Sequence, residues 1–278
     1  MSSSICDDPL RVSITNLSHQ STQDETSHYQ HGIPGIPTDG KVVLLKNSNN
    51  GAQIYLVGTV HIRKESAEIV KKVIDNVTPD VVAVELCKGR ADGLMNWKPE
   101  DDTLYKLFCR SMRSPGGLCM KVVNFIVSCW YCRLHAGGIF PGLEFKVAME
   151  ESSRVGARCS YIDQDHDVTL QQLSKVSSYG LLWKAYTRLR DEVKKSRQVI
   201  KHHSDIVNGQ YTRSNVQEIV NILKIICPEI TEVIIEDRDK FMFTNLRSFQ
   251  GKVVAVVGMG HMDGIELLWK LAEEDDID

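Results

Sequence analysis

The sequence lacks the features that identify three large classes of protein. Its N-terminus has neither the basic nor the apolar stretch of a secretory signal peptide, so we expect a cytoplasmic, non-secreted protein in a reducing environment. No Walker A sequence is present, and no Gly-x-Gly-x-x-Gly follows a predicted strand, so nucleotide binding is unsupported. The net charge of −3 gives no basic excess, although residues 188–201 are locally basic, and we predict no nucleic-acid partner.

A cysteine-based metal site is also disfavoured. Among the eight cysteines, Cys129 and Cys132 form a Cys-x-x-Cys pair, but no second pair follows at metal-ligand spacing. The pair lies in the apolar run from Leu118 to Leu134, where we interpret it as two small buried side chains. This run is at the short limit for a membrane span. It predicts a buried helix or one lying on a membrane surface, open to a peripheral membrane or protein partner.

Two similar strand-and-turn units are the strongest signal in the sequence. Val57-Gly58-Thr59-Val60-His61 closes an apolar run, and the run Val253 to Val257 leads into Gly258-Met259-Gly260-His261. Each run predicts a buried strand, and each glycine predicts a turn before a helical pattern. One such histidine is more often a cap or loop residue, but two copies favour a site. In neighbouring parallel strands, both imidazoles would lie at the carboxyl edge, where open α/β sheets bind ligands.

Carboxylates follow two further predicted strands. Val81 to Val84 is followed by Glu85, and Cys159 to Ile162 is followed by Asp163. Glu144 lies in the first turn of the helix predicted over Leu143 to Val155, where the helix dipole alone would explain it. For Asp167, helix N-capping and a place in the site are equally supported. The segment Asp237-Arg238-Asp239 forms either a surface ion-pair group or a projection of Arg238 into the crevice.

The order of these elements predicts the fold class. We predict an α/β fold with a mostly parallel central sheet, flanking helices and a helical insertion. The sheet begins with a hairpin of Val42 to Leu45 and Gln53 to Val57, followed by a crossover helix over Lys64 to Val77. We expect a disordered tail over residues 1–38, a single domain over 39–273 with its insertion around 178–248, and an acidic tail over 274–278.

In this order, the motifs resemble the TraB domain family, which includes bacterial pheromone-shutdown proteins, the Tiki proteases and eukaryotic TraB-domain proteins. The matching pieces span about residues 41–270 and are both Gly-x-x-His units, Glu85 with Arg90, Gly142-Leu143-Glu144-Phe145, Ile162-Asp163-Gln164-Asp165 and Asp237-Arg238-Asp239. The resemblance implies a fold similar to that of erythromycin-esterase-like proteins. Gln164 stands where the family pattern has arginine, and Asp237 stands where it has glutamate.

The resemblance to Tiki implies a metal-dependent hydrolase acting on a peptide-like substrate. It assigns His61, His261 and Glu85 as ligands of a divalent metal ion such as Mn, Co or Zn. It assigns Glu144 as the base and Arg238 as an anion or oxyanion clamp, with Asp163 as a further catalytic candidate. Imidazole and carboxylate ligands suit such metals, which acidify a bound water.

Two other interpretations stay open. The resemblance to eukaryotic TraB-domain proteins also implies a non-enzymatic adaptor at the cytosolic face of the mitochondrial outer membrane or at organelle contacts. Its partner surfaces would be the helix over Leu118 to Leu134 and the charged helix predicted over Leu181 to Lys201. In the remaining interpretation, the polar crevice is a structural relic that no longer holds a metal ion.

Overall fold

The structure, a computed structural model, describes residues 31–98, 101, 103–176, 184, 187–188 and 211–275. Within these residues, five strands form one sheet in the order β1-β2-β5-β3-β4. The strands are β1 (Val42–Lys46), β2 (Gln53–Thr59), β3 (Val81–Val84), β4 (Arg158–Tyr161) and β5 (Lys252–Gly258). Only the β1–β2 hairpin is antiparallel in this described sheet, so the predicted mostly parallel α/β fold is confirmed.

Helices flank the sheet on both sides. They are α1 (Lys64–Val77), α2 (Lys88–Met95), α3 (Leu104–Arg113), α4 (Leu118–Ala136), α5 (Leu143–Val155), α6 (His166–Val176), α7 (Arg213–Ile226), α8 (Pro228–Thr231), α9 (Asp237–Arg247) and α10 (Met262–Asp275). A π-helical turn (Glu232–Glu236) joins α8 to α9, and a 3-10 turn (Met259–His261) precedes α10. The crossover helix has the predicted bounds, whereas β4 begins and ends one residue before its prediction.

The core consists of two apolar layers, one on each face of the sheet. Side chains alternate between the faces of a strand, so Val253 and Ala255 contribute to one layer and Val254 and Val256 to the other. Helices α9 and α10 cover the first face, and helices α1 and α5 cover the second. Strands β3 and β5 are therefore apolar at nearly every position, as expected when both faces of a parallel sheet are covered.

The packed part of the chain starts before the predicted boundary at residue 39. Ile33 and Ile36 lie in the same core layer as α1, and both are buried. The assignment of residues 31–38 to a disordered tail is therefore wrong. The rest of that tail, residues 276–278 and most of 177–210, including nearly all of the predicted helix over Leu181 to Lys201, lie outside the described residues.

Helix α4 does not match the buried alternative predicted for its sequence. One side of the helix exposes large apolar side chains, including Leu118, Ile126 and Trp130. Cys129 and Cys132 are half-buried in it and form no disulfide in the described part of the chain. None of the described helices is both long enough and apolar enough to cross a membrane.

Candidate functional site

The two Gly-x-x-His units lie side by side at the carboxyl edge of the sheet. Strands β2 and β5 are parallel neighbours, and Thr59 at the end of β2 pairs with Gly258 at the end of β5. His61 follows in the turn before α1, and His261 ends the 3-10 turn before α10. Because the strands are in register, the two turns emerge next to each other and bring both imidazoles to the same edge of the sheet.

The glycine of each unit makes room for a side chain near the other unit. A Cβ atom on Gly258 would lie 3.1 Å from His61 Nε2 and 3.2 Å from Glu85 Oε2. A Cβ atom on Gly58 would overlap the sulfur of Met262, the buried residue that follows His261. The glycines are thus required by close packing between the two units.

His61 is held from behind by the N-terminus of α5. The buried carboxylate of Glu144 lies with Oε1 2.5 Å from His61 Nδ1, and the Phe145 ring packs 5.1 Å from the imidazole centroid. The backbone N–H of Gly142 donates to the carbonyl of His61 at 2.9 Å, which fixes the helix against the turn. The His61 side chain remains 42% exposed.

Glu144 has one oxygen that the described residues leave without a partner. Its side chain is fully buried, and Oε2 accepts no hydrogen bond. A buried polar atom without a partner is unusual in a folded protein. The only partner for this carboxylate in the described residues is His61.

A buried network of charged groups lies beneath His61. Arg238 donates from Nε and Nη2 to the two oxygens of Asp163, both at 2.9 Å, and also from Nη2 to Glu85 Oε1. His261 is placed between two carboxylates, with Nδ1 2.6 Å from Asp239 Oδ1 and Nε2 3.2 Å from Glu85 Oε1. The second oxygen of Glu85 accepts the backbone N–H of Gly258 at 2.5 Å.

The π-helical turn places Arg238 and Asp239 in this network. In that turn, the backbone N–H of Asp237 bonds to the carbonyl of Glu232, five residues earlier. The Ile234 carbonyl accepts instead from Arg238 Nη1 at 3.1 Å. Arg238 and Asp239 follow in the first turn of α9, where Arg238 reaches Asp163 and Asp239 reaches His261.

The network fixes the charge state of its central groups. Burial opposes a charge on His261, but Glu85 and Asp239 outweigh burial and raise the pKa of His261 to about 10. Burial likewise disfavours a charged Glu85, yet His261 and Arg238 hold the pKa of that carboxyl well below its usual value. Near neutral pH, His261 is therefore an imidazolium and Glu85 a carboxylate.

The crevice rim carries a further cation. Arg90 of α2 is exposed, and its Nη1 lies 3.6 Å from Asp163 Oδ2. Gln164, which stands where the family pattern has arginine, adds no second cation. Its side chain donates to Gln172 of α6 at 2.8 Å. Asp165 accepts the backbone N–H of Asp167 and so caps α6, the capping role predicted as one alternative for Asp167.

The structure brings all six predicted site residues together, namely His61, Glu85, Glu144, Asp163, Arg238 and His261. The sequence prediction gave no role to Asp239, the carboxylate behind His261. Its position directly after Arg238 was the available signal, but in a regular helix two consecutive side chains point in different directions. Both side chains nevertheless reach the network, because Arg238 contacts Asp163 and Asp239 contacts His261, and neither contact has a local sequence pattern.

The arrangement has features for and against a bound metal ion. In favour, each Nδ1 is held by a buried carboxylate, as is common behind metal-binding histidines. Against it, Glu85 is engaged by Arg238, His261 and Gly258, and a protonated imidazole is not a ligand. Among the described residues, no three His, Cys, Asp or Glu side chains are arranged to hold a metal ion. In this arrangement Glu85 and His261 are engaged with each other and with Arg238, and the predicted metal ligands stay a prediction.

Comparison with known proteins identifies the family. A model described as the TraB/PrgY/gumN family matches residues 43–107 and 184–278, together more than half of the chain. The chain belongs to the TraB/PrgY/gumN family. The matched segments contain His61, Glu85, Arg238 and His261, whereas Glu144 and Asp163 lie between them.

Relatives of this TraB-family chain occur in archaea and mammals. An uncharacterized protein of Methanocaldococcus jannaschii is 32% identical over 244 residues, which cover 84% of this chain and 57% of that protein. TraB domain-containing proteins of Bos taurus and Homo sapiens are 28% and 25% identical, over 80% and 85% of this chain and 64% and 67% of their own lengths. The chain thus spans less than two thirds of the archaeal and bovine relatives, and nothing in these names assigns an activity.

Proposed function

We propose that the crevice is the active site of a hydrolase that cleaves a peptide-like bond, with His61 as general base. The observation that carries the proposal is the pairing of an exposed imidazole with a fully buried carboxylate. Glu144 approaches Nδ1 to 2.5 Å, and Nε2 keeps no hydrogen-bond partner among the described residues. A base oriented by a carboxylate behind it recurs in hydrolases of unrelated folds.

In the proposed reaction, a water molecule beside His61 attacks the carbonyl carbon while Nε2 takes its proton. Glu144 acts through His61: it fixes the ring orientation and balances the charge of the imidazolium. This role differs from the one predicted for Glu144, because its carboxylate lies behind the ring, away from the crevice. The imidazolium then returns the proton to the leaving amine as the carbon–nitrogen bond breaks, which restores His61.

Cationic groups near His61 would stabilise the negative charge that develops on the carbonyl oxygen. Arg238 directs its Nε and Nη2 donors to Asp163 and Glu85 and one Nη1 donor to Ile234, so we assign it mainly to holding the network. Arg90 at the rim is the more accessible cation for a substrate oxygen or carboxylate. Preorganised cations of this kind contribute a large part of the stabilisation of such transition states.

The two-histidine metal site is a separate part of the proposal with its own test. A bound Mn, Co or Zn ion would be held by His61, His261 and Glu85 and would supply Lewis-acid chemistry. It would require His261 to lose its proton and Arg238 to release Glu85. The test is elemental analysis of the wild type and of the His61→Ala/His261→Ala double mutant, with each metal added back singly. Near-stoichiometric metal in the wild type alone would support the assigned ligands. Absence of metal from both proteins would reject them.

Hydrolysis is tested with a panel of fluorogenic peptides, in the presence and absence of EDTA. The wild type is expected to cleave at least one member, and His61→Ala is expected to lose the cleavage. His135→Ala in α4, whose ring packs on Trp97 and Phe140, serves as the matched control and is expected to retain it. Cleavage that survives in His61→Ala would reject the assigned base.

One observation favours a second candidate function, that of an adaptor at the cytosolic face of the mitochondrial outer membrane. It is the exposed apolar side of α4, which includes Leu118, Ile126 and Trp130. Here the crevice binds a ligand or only stabilises the fold. Serine substitutions on α4 would then abolish organelle association while His61→Ala leaves it intact, and the reverse pattern would reject the adaptor.

A further inference from the structure

Helices α3 and α4 form an exposed apolar surface away from the crevice. We call it the α3–α4 surface; it consists of Leu104, Tyr105, Phe108, Leu118, Val122, Val123, Ile126, Val127, Trp130 and Tyr131. In α4, residues 118, 122, 126 and 130 recur every four positions and so lie along one side of the helix. Leu118 is 73% exposed and Ile126 is 61% exposed, values unusual for such side chains.

The opposite side of the same helix pair is packed. Leu107 and Met120 are buried on that side, and between the two helices the rings of Phe108 and Phe125 meet edge-to-face at 5.8 Å. The two helices therefore form a fixed hairpin, with one side toward the protein and one side uncovered by any described residue. The exposed apolar side chains therefore belong to a helix pair that is packed against the rest of the protein.

The charges around this surface have one sign. Residues 103–143 contain five Lys and Arg residues and no Asp or Glu, although the whole chain has a net charge of −3. Lys106 pairs with Asp101, but Arg113, Lys121 and Arg133 form no ion pair in the described part of the chain. An apolar stripe accompanied by unpaired basic groups is typical of helices that lie in a membrane interface.

We propose that the α3–α4 surface binds the surface of an anionic lipid bilayer. The helices lie in the plane of the interface, with the apolar stripe among the headgroups and upper acyl chains and the basic side chains on lipid phosphates. This docking specifies the partner of the adaptor described above. It does not depend on hydrolysis in the crevice.

Charge complementarity selects the bilayer over two other occupants. A second copy of this chain would bring two basic surfaces together, which like-charge repulsion opposes. Residues 177–210 of the same chain carry seven Lys and Arg against three Asp and Glu, so their charge is also of the wrong sign. The family model, moreover, does not match residues 108–183, so α4 lies outside the part of the chain that this model matches.

The proposal is tested by co-sedimentation of the full chain with vesicles. Phosphatidylcholine vesicles are compared with equimolar phosphatidylcholine and phosphatidylserine. The apolar variant is Val122→Ser/Ile126→Ser/Trp130→Ser, and the basic variant is Arg113→Gln/Lys121→Gln/Arg133→Gln. Leu223→Ser/Ile225→Ser/Phe241→Ser, which alters exposed apolar side chains on α7 and α9, is the matched control. Circular dichroism and urea unfolding establish that each variant is folded.

The wild type is expected to bind only the anionic vesicles, and more weakly as salt is added. The basic variant is expected to lose binding on the order of a hundredfold, and the apolar variant at least about tenfold. The control is expected to bind as the wild type does. Equal binding to both vesicles, no binding, or binding that neither variant weakens would overturn the proposal.

Two further outcomes distinguish membrane binding from dimerisation and from the mitochondrial adaptor. Concentration-dependent dimerisation that the apolar variant abolishes, without vesicle binding, would assign the surface to a second copy and overturn the proposal. Vesicle binding by a chain that does not associate with mitochondria would support the proposal and reject the adaptor. Neither result depends on whether the crevice hydrolyses a substrate.

Discussion

At the scale of single residues, the two Gly-x-x-His histidines are built alike but placed differently. Each has a buried carboxylate at Nδ1, Glu144 for His61 and Asp239 for His261. His61 is open to the crevice, whereas His261 is almost fully buried against Glu85. The first imidazole is therefore suited to exchange protons with a substrate, and the second provides a fixed positive charge.

The close packing of Asp239 against Gly264 predicts that a larger residue at position 264 destabilises the protein. A Cβ atom on Gly264 in α10 would overlap the carboxylate of Asp239, so we expect Gly264→Ala to displace Asp239 from His261. The free energy of unfolding in urea is expected to fall by about 1–3 kcal/mol. Gly93→Ala in α2 is the matched control: nothing lies near its Cβ position, and alanine favours a helix by up to about 1 kcal/mol. Equal effects at both positions would contradict the packing argument.

The charge on His261 predicts a pH dependence of stability. Folding raises its pKa from 6.5 to about 10, so the folded protein binds the proton more tightly than the unfolded chain. This stabilisation is complete below pH 6.5 and is lost as pH rises through about 10, by up to about 1.4 kcal/mol per pH unit.

Urea unfolding between pH 6 and pH 10 measures this effect. His261→Gln is expected to flatten the decline on the alkaline side. His166→Gln is expected to leave it unchanged, because burial lowers the pKa of His166. A decline of the same slope in His261→Gln would show that another group is responsible.

At the scale of elements, the two ends of α5 have different tasks. Gly142 before the helix and Gly156 after it both adopt left-handed backbone conformations, with φ of 84° and 74°. Gly142 also binds the His61 carbonyl and sets the position of Glu144, whereas a Cβ atom on Gly156 would enter open space. The N-terminal end thus links the helix to the crevice.

This difference predicts how two equivalent substitutions diverge. Gly142→Ala and Gly156→Ala are each expected to lower the free energy of unfolding by about 1–2 kcal/mol, because alanine disfavours the left-handed region. Only Gly142→Ala is expected to change the rate at which diethyl pyrocarbonate modifies His61, followed by mass spectrometry. A change of the same size in Gly156→Ala would contradict the assigned role of the N-terminal end.

The elements were more predictable from the sequence than the contacts between them. Apolar runs and helical spacing gave β2, α1 and β3 closely, because each depends on a local pattern. The pairing of Arg238 with Asp163 and Glu85 joins residues far apart in the chain and depends on a π turn that has no local pattern. The sequence therefore predicted which residues meet, but not which of them hold the others in place.

At the scale of the whole molecule, both faces of the sheet are covered and its carboxyl edge carries the polar crevice. The N-terminal segment contributes to this cover, because Ile33 and Ile36 pack in the layer of α1 and α5. The abundance of Ser, Thr, Asp, His and Gln over residues 1–38 predicted a disordered tail that closes on a stiff turn segment from Gly32 to Pro37. Only the packed structure identifies Ile33 and Ile36 as core residues.

The contribution of this segment is measurable. Ile33→Ala and Ile36→Ala are each expected to lower the free energy of unfolding by about 2–4 kcal/mol, because both side chains are buried. Ile225→Ala serves as the control; its side chain is 51% exposed, and the expected change is within about 0.5 kcal/mol. Indistinguishable urea midpoints for the three variants would place Ile33 and Ile36 outside the core.

The central claim is that His61, oriented by Glu144, is the base of a hydrolase. The most direct test is the single-turnover cleavage rate of a peptide from the panel by the wild type, Glu144→Gln and Glu150→Gln. Glu150 is on the exposed side of the same helix and provides the control. We predict a loss of about 10²–10⁴-fold for Glu144→Gln and no loss for Glu150→Gln. Equal cleavage by all three proteins would contradict the account.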